Sequence, residues 1–83
     1  MSHAHIVSDQ FDWTQTRPSE AVIRLTSAAR DCEPTALSPL SEVVDVDALD
    51  SYLRSAGTQT TVHFTYAGAS VRLQGDGSGA VHG

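Results

Sequence analysis

The chain has 83 residues, a formal net charge of −5 and a single cysteine, Cys32. A domain of this length buries only about 60% of the surface that its unfolded chain exposes, so its core is thin. The sequence excludes an internal disulfide and a membrane span of roughly 20 apolar residues, and its acidity weighs against simple nucleic-acid binding, which needs a basic face. The N-terminus has no secretory-signal pattern, and the lone cysteine fits a reducing cytoplasm, where we expect the protein to reside.

All five cationic side chains are arginine, and lysine is absent. An acidic, lysine-free chain is typical of a cytoplasm at very high salt, where the Debye length is about 3 Å or less and repulsion between surface charges is screened. Five cations are a small sample, so a chance absence of lysine is the alternative. In such a cytoplasm the argument from net negative charge against nucleic-acid binding would also weaken, because long-range repulsion would be screened.

The first 16 residues are predicted to be an N-terminal tail, and residues 17–83 a single domain. Residues 1–9 show no strong periodicity and are expected to be loose. Phe11, Asp12 and Trp13 either form a short extra strand at the sheet edge or pack as an apolar clip against the first helix. Trp13 is expected to be packed rather than functional.

A first helix is predicted over residues 18–31. Pro18 suits its first turn, Glu20 lies where the helix dipole favours an anion, and Pro34 marks its end. One face at helical spacing is expected to be buried. This face consists of Ala21, Val22, Leu25, Ala28, Ala29 and Cys32. A connector with several apolar residues, 34–44, follows.

The second helix has the clearest signals. Asp45 is a good N-cap, and Val44 and Leu49 have the spacing of a hydrophobic staple. Gly57 stands where a helix-ending glycine is common. The stripe expected to face the core consists of Leu49, Tyr52, Leu53 and Ala56.

Residues 60–74 predict a β-hairpin with a two-residue turn at Ala67 and Gly68, because glycine supplies the positive φ that tight hairpins need. Apolar and polar residues alternate on both sides of this turn. The predicted register pairs Tyr66 with Ala69, Phe64 with Val71 and Val62 with Leu73. A slip of one residue would exchange the two faces, so the register is well specified.

The glycine-rich stretch 75–79 predicts a second turn. A three-residue loop at residues 76–78 would place Val81 on the buried face beside Leu73. The predicted fold is therefore α+β: a two-layer sandwich in which two helices pack on one face of a small antiparallel meander, with an N-terminal edge strand as an optional addition.

No catalytic, metal-binding or cofactor-binding set is predicted. The glycine-rich stretch is not followed by a helix, as a phosphate loop requires. The four histidines lack zinc-site spacing, so His3 and His5 near the terminus are expected to bind metal adventitiously at most. Cys32 is expected to be a small buried hydrophobe rather than a nucleophile with His63 as its base.

Three aspartates near the second helix resemble an acidic cluster for a cation. Capping and dipole roles account for Asp45 and Asp47, and Asp50 is expected to be a solvated surface carboxylate. A calcium loop would need further ligands and a glycine that the sequence lacks.

The polar side of the hairpin is the remaining candidate site. Its simplest interpretation is a solvated face. The functional alternative is a docking surface for a partner around His63, Thr65 and Arg72, with the hairpin edge open to strand addition.

Four short motifs follow one another along the chain. They are Pro18-Ser19-Glu20-Ala21-Val22, Leu37-Ser38-Pro39-Leu40, Asp45-Val46-Asp47-Ala48-Leu49 and Phe64-Thr65-Tyr66-Ala67-Gly68. In order and spacing they resemble the halobacterial output domain 1 family over residues 17–82.

The resemblance implies a haloarchaeal cytoplasmic protein, from a family whose members commonly follow receiver or sensor domains. We therefore expect a non-enzymatic regulatory module, without cofactor or membrane contact, that binds another protein. A homodimer is a further candidate assembly. The alternatives are a nucleic-acid-associated transcriptional regulator and a small-ligand or metal sensor. Residues 1–16 are too few for an input domain, so a signal is expected to arrive in trans.

Removal of salt is expected to weaken the fold, because the surface carboxylates of an acidic, lysine-free chain repel one another when they are unscreened. Circular dichroism and thermal melting at molar and at millimolar KCl measure this effect. Identical spectra and melting temperatures at both concentrations would contradict the prediction.

Overall fold

The computed structural model describes residues 6–83 as two α-helices packed on one face of a four-stranded antiparallel sheet. In chain order the elements are β1 (Ile6–Gln10), α1 (Pro18–Ala29), α2 (Val46–Ser55), β2 (Thr61–Tyr66), β3 (Ala69–Gln74) and β4 (Ser78–His82). Two single-turn 3-10 helices, Pro34–Ala36 and Leu40–Glu42, lie in the connector between the α-helices. The strand order is β1-β4-β3-β2. The predicted two-layer α+β arrangement is confirmed.

The N-terminal strand lies earlier in the chain than expected. Residues 6–10 pair antiparallel with β4, so the prediction of a loose tail is wrong for residues 6–9, and residues 11–13 are not a strand. Only Val7 of this strand is half-buried. An edge strand with a single inward apolar residue gives too weak an alternation to be recognised from sequence.

Phe11 and Trp13 pack as an apolar clip, but the hydrogen bonds of Trp13 join it to the end of β3 and to α2 rather than to the first helix. Their rings stack with centroids 5.6 Å apart, and Trp13 is buried. The Trp13 indole Nε1 donates a hydrogen bond to the Gln74 carbonyl at 2.7 Å, and the Arg54 Nε donates to the Trp13 carbonyl at 3.1 Å. The clip thus joins the end of β3 to α2.

Helix α1 ends at Ala29, two residues before the predicted end. Its buried stripe includes Pro18, Ala21, Val22, Leu25, Thr26 and Ala29. The predicted stripe is therefore wrong at Ala28, which is exposed, and at Cys32, which is only half-buried beyond the helix. Thr26 takes a core position because it continues the i, i+4 row from Val22, and its hydroxyl has no hydrogen-bond partner.

Asp50 is the clearest departure from the sequence expectation. It is only 8% exposed, not a solvated carboxylate. One carboxylate oxygen accepts a hydrogen bond from the Ser19 backbone N–H at 2.8 Å, and the other accepts from the Ser19 hydroxyl at 3.1 Å. Arg17, at the N-cap position of α1, supplies no side-chain cap. A side chain of α2 therefore caps the N-terminus of α1.

Helix α2 begins as predicted. The Asp45 carboxylate accepts a hydrogen bond from the Ala48 N–H at 3.1 Å, and Leu49 and Leu53 are buried. Val44 packs against the same core as Leu49, as a staple requires. Tyr52 is 53% exposed, so its predicted core position is wrong.

The helix ends in extended backbone at Ala56 (φ −74°, ψ 155°). Gly57 follows it, but positive φ among the glycines of residues 6–83 is confined to Gly68 and Gly77. The chain therefore leaves α2 without the left-handed residue that a helix-ending glycine commonly supplies.

The hairpin register is confirmed at all three predicted pairs. Both turn residues have positive φ, 53° at Ala67 and 79° at Gly68, as a type I′ turn requires. The buried Tyr66 hydroxyl donates a hydrogen bond to the Ser38 carbonyl and ties β2 to the connector. Burial raises the pKa of Tyr66, and charge on Cys32 and Glu42 raises it further.

The second turn is shifted by one residue. Gly75, Asp76 and Gly77 form the loop, so Val81 lies opposite Val71 rather than beside Leu73. The shift moves the register by two, which keeps Val81 on the buried face. A Cβ at Gly77 would lie 1.9 Å from the Phe11 carbonyl oxygen, and the Phe11 N–H donates to the Gly77 carbonyl at 2.7 Å. Close backbone approach therefore explains this glycine.

Replacement of Asp50 by Ala is expected to lower the free energy of unfolding by about 2 kcal/mol, because it removes both hydrogen bonds to Ser19 and uncaps α1. Urea denaturation followed by circular dichroism measures the loss. Asp47→Ala is the matched control, since it removes an exposed carboxylate from the same helix and should cost less than about 1 kcal/mol. Equal losses in the two variants would contradict the capping role.

Candidate interaction surface

One face of the sheet carries the helices, and the opposite side, which we term the open face, does not. Strand alternation and the observed registers assign twelve residues to it. They are Ile6, Ser8, Gln10, Thr61, His63, Thr65, Ser70, Arg72, Gln74, Ser78, Ala80 and His82. All twelve are exposed or half-buried. The open face is thus a continuous surface four strands wide.

The three predicted docking residues lie together on the open face. His63 is the cross-strand partner of Arg72, and Thr65 is the partner of Ser70. Directly opposed side chains in an antiparallel sheet are close enough to contact the same bound group. The predicted clustering of His63, Thr65 and Arg72 is therefore present, while their role in binding stays a prediction.

Sequence reasoning missed two contributions to this surface. His82 lies on the open face because Val81 beside it faces the core, and the shifted register of β4 places Ser70 opposite it. Ile6 lies opposite His82 because β1 adds a fourth strand. Ile6 is 62% exposed and gives the open face an apolar side chain. The sequence signal for the neighbours of His82 was the glycine-rich turn, because the residues that form this turn set which β3 residue lies opposite each β4 residue.

The open face differs in charge from the rest of the protein. The chain has ten carboxylate side chains, and none of them belongs to the twelve open-face residues. The face instead carries the Arg72 guanidinium and two histidines. Across residues 6–83 the one ion pair found joins Arg24 and Glu20 on α1, with a nitrogen–oxygen distance of 3.0 Å. Arg72 therefore has its charge available for a partner.

The relief of the open face is shallow. One depression, of about 420 Å³, is lined by Ile6, His63, Ser70, Arg72, Ala80 and His82. A second, of about 360 Å³, shares Arg72 and Ala80 with it and extends toward Asp9, Gln10 and Ser78. Both are open to solvent, and ligand sites for small molecules are usually more enclosed. This shape suits contact with another macromolecular surface.

The other candidate chemistry is not assembled. Cys32 follows α1 on the helix side of the sheet, whereas His63 lies on the open face, so the sheet separates the two. Asp45 and Asp50 are both engaged in helix capping. Within residues 6–83 no group of three or more potential metal ligands is found. His3 and His5 lie outside the described residues.

The helices of residues 6–83 are all too short or too polar to cross a bilayer.

A family model described as Halobacterial output domain 1 matches residues 14–82. The match includes the helices and β2, β3 and β4, and it leaves out β1. Neither a curated protein nor a solved structure matches the chain.

Truncation of two neighbouring residues of β3 should change the free energy of unfolding by very different amounts if the open face is not needed for folding. Val71→Ala is expected to lower the free energy of unfolding by about 2 kcal/mol, because Val71 is fully buried. Arg72→Ala is expected to change it by less than about 0.5 kcal/mol. Urea denaturation of both variants checks this. A large loss for Arg72→Ala would show a structural role for its side chain.

Proposed function

Because the chain belongs to the halobacterial output domain 1 family, we propose that it is a small, non-catalytic regulatory module that binds an acidic segment of another protein on its open face. The family supports a role in signal output. The setting we propose is a haloarchaeal cytoplasm, which the family description and the acidic, lysine-free composition both support.

The observation that carries the proposal is the absence of carboxylates from the open face of a chain with a net charge of −5. Arg72 and the two histidines can pair with carboxylates of a partner, and Asp9 is the one acidic residue that lines either depression. At molar salt, charges of this kind act at contact distance rather than by long-range steering, and like charges in contact exclude wrong partners. Arginine is also enriched at protein interfaces, where its planar group binds carboxylates in two-point contacts.

The remaining open-face side chains also suit a protein partner. Serine, threonine and glutamine supply hydrogen-bond donors and acceptors across all four strands, and Ile6 supplies apolar contact at one corner. A mixture of this kind is typical of non-obligate interfaces, which are about as polar as the rest of a protein surface. The flat relief matches a partner that is broad rather than a small molecule.

Nucleic acid is the second class of partner, and the arrangement of the arginines argues against it. Arg17, Arg24 and Arg30 lie on or beside α1, Arg54 on α2, and Arg72 on the open face. Five cations divided between both layers of the fold form no basic stripe along which a phosphate backbone could run. A regulator that contacts several phosphates would also lose affinity steeply as salt rises.

The proposal is tested by comparing two charge reversals in cells of the source organism. Tagged wild-type protein, Arg72→Glu and Arg24→Glu are recovered in molar KCl, and co-purifying proteins are quantified by mass spectrometry. Arg72→Glu should lose a partner that wild type retains, because it places a carboxylate on the open face. Arg24→Glu makes the same change in charge on the exposed side of α1 and should retain the partner.

Identical recovery with both variants would overturn the assignment of the open face. Recovery of DNA or RNA, with an affinity that falls as KCl rises, would favour the nucleic-acid alternative. Direct binding of a synthetic acidic peptide from the recovered partner, measured by calorimetry with the same two variants, then checks the chemistry of the contact.

A further inference from the structure

The outer edge of β2 is an unpaired row of backbone groups. The Gly75 N–H donates to the Thr60 carbonyl at 2.8 Å, which makes Thr60 and Gly75 a hydrogen-bonded pair at the end of the β2–β3 ladder. Hydrogen-bonded and non-hydrogen-bonded pairs alternate in an antiparallel ladder. The N–H and C=O groups of Thr61, His63 and Thr65 therefore point away from β3, and no backbone group of residues 6–83 bonds to them.

This edge lacks the features that usually prevent strand addition. The six residues of β2, TVHFTY, include no Asp, Glu, Lys, Arg, Pro or Gly. The opposite edge strand, β1, is one residue shorter and carries Asp9, whose carboxylate accepts a hydrogen bond from the Gln10 N–H at 2.8 Å. Charged residues and short length are common protections of sheet edges, and β2 has neither.

The helix-side face of β2 is also incompletely covered. Helix α1 packs mainly on β4 and β1 and less on β3. Val71 and Leu73 on β3 are fully buried. Their partners on β2, Phe64 and Val62, lie farther from α1 and are only half-buried. An added strand could cover these two side chains with apolar residues of its own.

We propose that a second copy of this chain occupies the β2 edge, in an antiparallel β2–β2 pairing about a two-fold axis at His63. The outward groups are symmetric about His63, so rotation about this axis pairs Thr61 with the partner's Thr65 and His63 with the partner's His63. The same rotation keeps both helix layers on one side of a continuous eight-stranded sheet.

The chemistry of β2 favours a copy of itself over an unrelated strand. In this register Val62 lies opposite the partner's Phe64 and Phe64 opposite the partner's Val62, which are favourable aromatic and β-branched pairs. Strand β2 has no acidic side chain, so the pairing brings no two β2 carboxylates together, although each chain carries a net charge of −5. A pairing of two six-residue strands buries less area than the about 1,600 Å² of a standard interface. The dimer is therefore expected to be weak, and its population to depend on protein concentration.

The first test uses purified protein in molar KCl. Sedimentation across a wide range of concentrations should show wild type passing from monomer to dimer. His63→Pro removes an outward N–H without breaking the β2–β3 ladder, and it should weaken dimerisation by at least about tenfold. Ser8→Pro is the matched control, because Ser8 has the equivalent outward position on β1, and it should leave the dimer unchanged.

A second test depends on the two-fold axis itself and keeps the proposal falsifiable if the proline variant does not fold. His63→Lys and His63→Glu should each be monomeric, because like charges then lie directly opposite across the axis. An equimolar mixture should restore a dimer that contains one chain of each kind. The mixture is measured at the lowest KCl concentration at which circular dichroism shows both variants folded, since salt screens exposed charges.

Three results would overturn the proposal: monomeric wild type at all concentrations, a dimer insensitive to both His63→Pro and His63→Lys, or failure of the mixture to restore a dimer. These outcomes can be told apart from the proposed partner binding, although His63 lies on the open face as well as on the β2 edge. They are measured on purified protein alone, whereas the partner test changes Arg72 and Arg24 and no residue of β2.

Discussion

The carboxylate of Asp50 holds the two helices in a fixed relation, and much of the fold depends on that relation. Helix α1 starts at Pro18 with no cap of its own, so its first N–H groups need an acceptor from elsewhere. Asp50 provides one from α2 and is buried in doing so. A buried carboxylate is stable only when its oxygens are hydrogen-bonded, so the position of α2 and the start of α1 determine each other. The helix layer that covers the sheet is thus assembled as a unit.

The elements with strong local signals were predictable from sequence. The hairpin register followed from alternation around Ala67 and Gly68, because a slip would have exposed Phe64 and Tyr66. The start of α2 followed from Asp45, whose capping needs only neighbours in the chain. The polar face around His63 and Arg72 came with the hairpin, since the same alternation that buries one side leaves the other side exposed.

The larger departures from the prediction depend on contacts distant in sequence, whereas the early end of α1 and the backbone at Gly57 are local. Strand β1 pairs with residues more than 65 positions away, and its own pattern contains one inward apolar side chain. Asp50 looks like a surface residue of an amphipathic helix until Ser19, 31 positions earlier, is placed beside it. The register of β4 depended on which three residues form the glycine-rich loop, and one of them, Gly77, lies against the distant Phe11. Ile6 joined the open face through the pairing of β1 with β4, and the register of β4 set the neighbours of His82.

The pairing of β1 with β4 has a consequence for the order of folding. The hairpin of β2 and β3 joins residues close in sequence, whereas β1 must wait for a partner that lies more than 65 positions later in the chain. Closing so long a loop costs chain entropy that local hairpins avoid, and contacts of large sequence separation slow folding. During synthesis β1 leaves the ribosome before β4 and stays unpaired until β4 has emerged. Until β4 has emerged, the nascent sheet has β3 as an open edge at a time when β2 and both helices can already be in place.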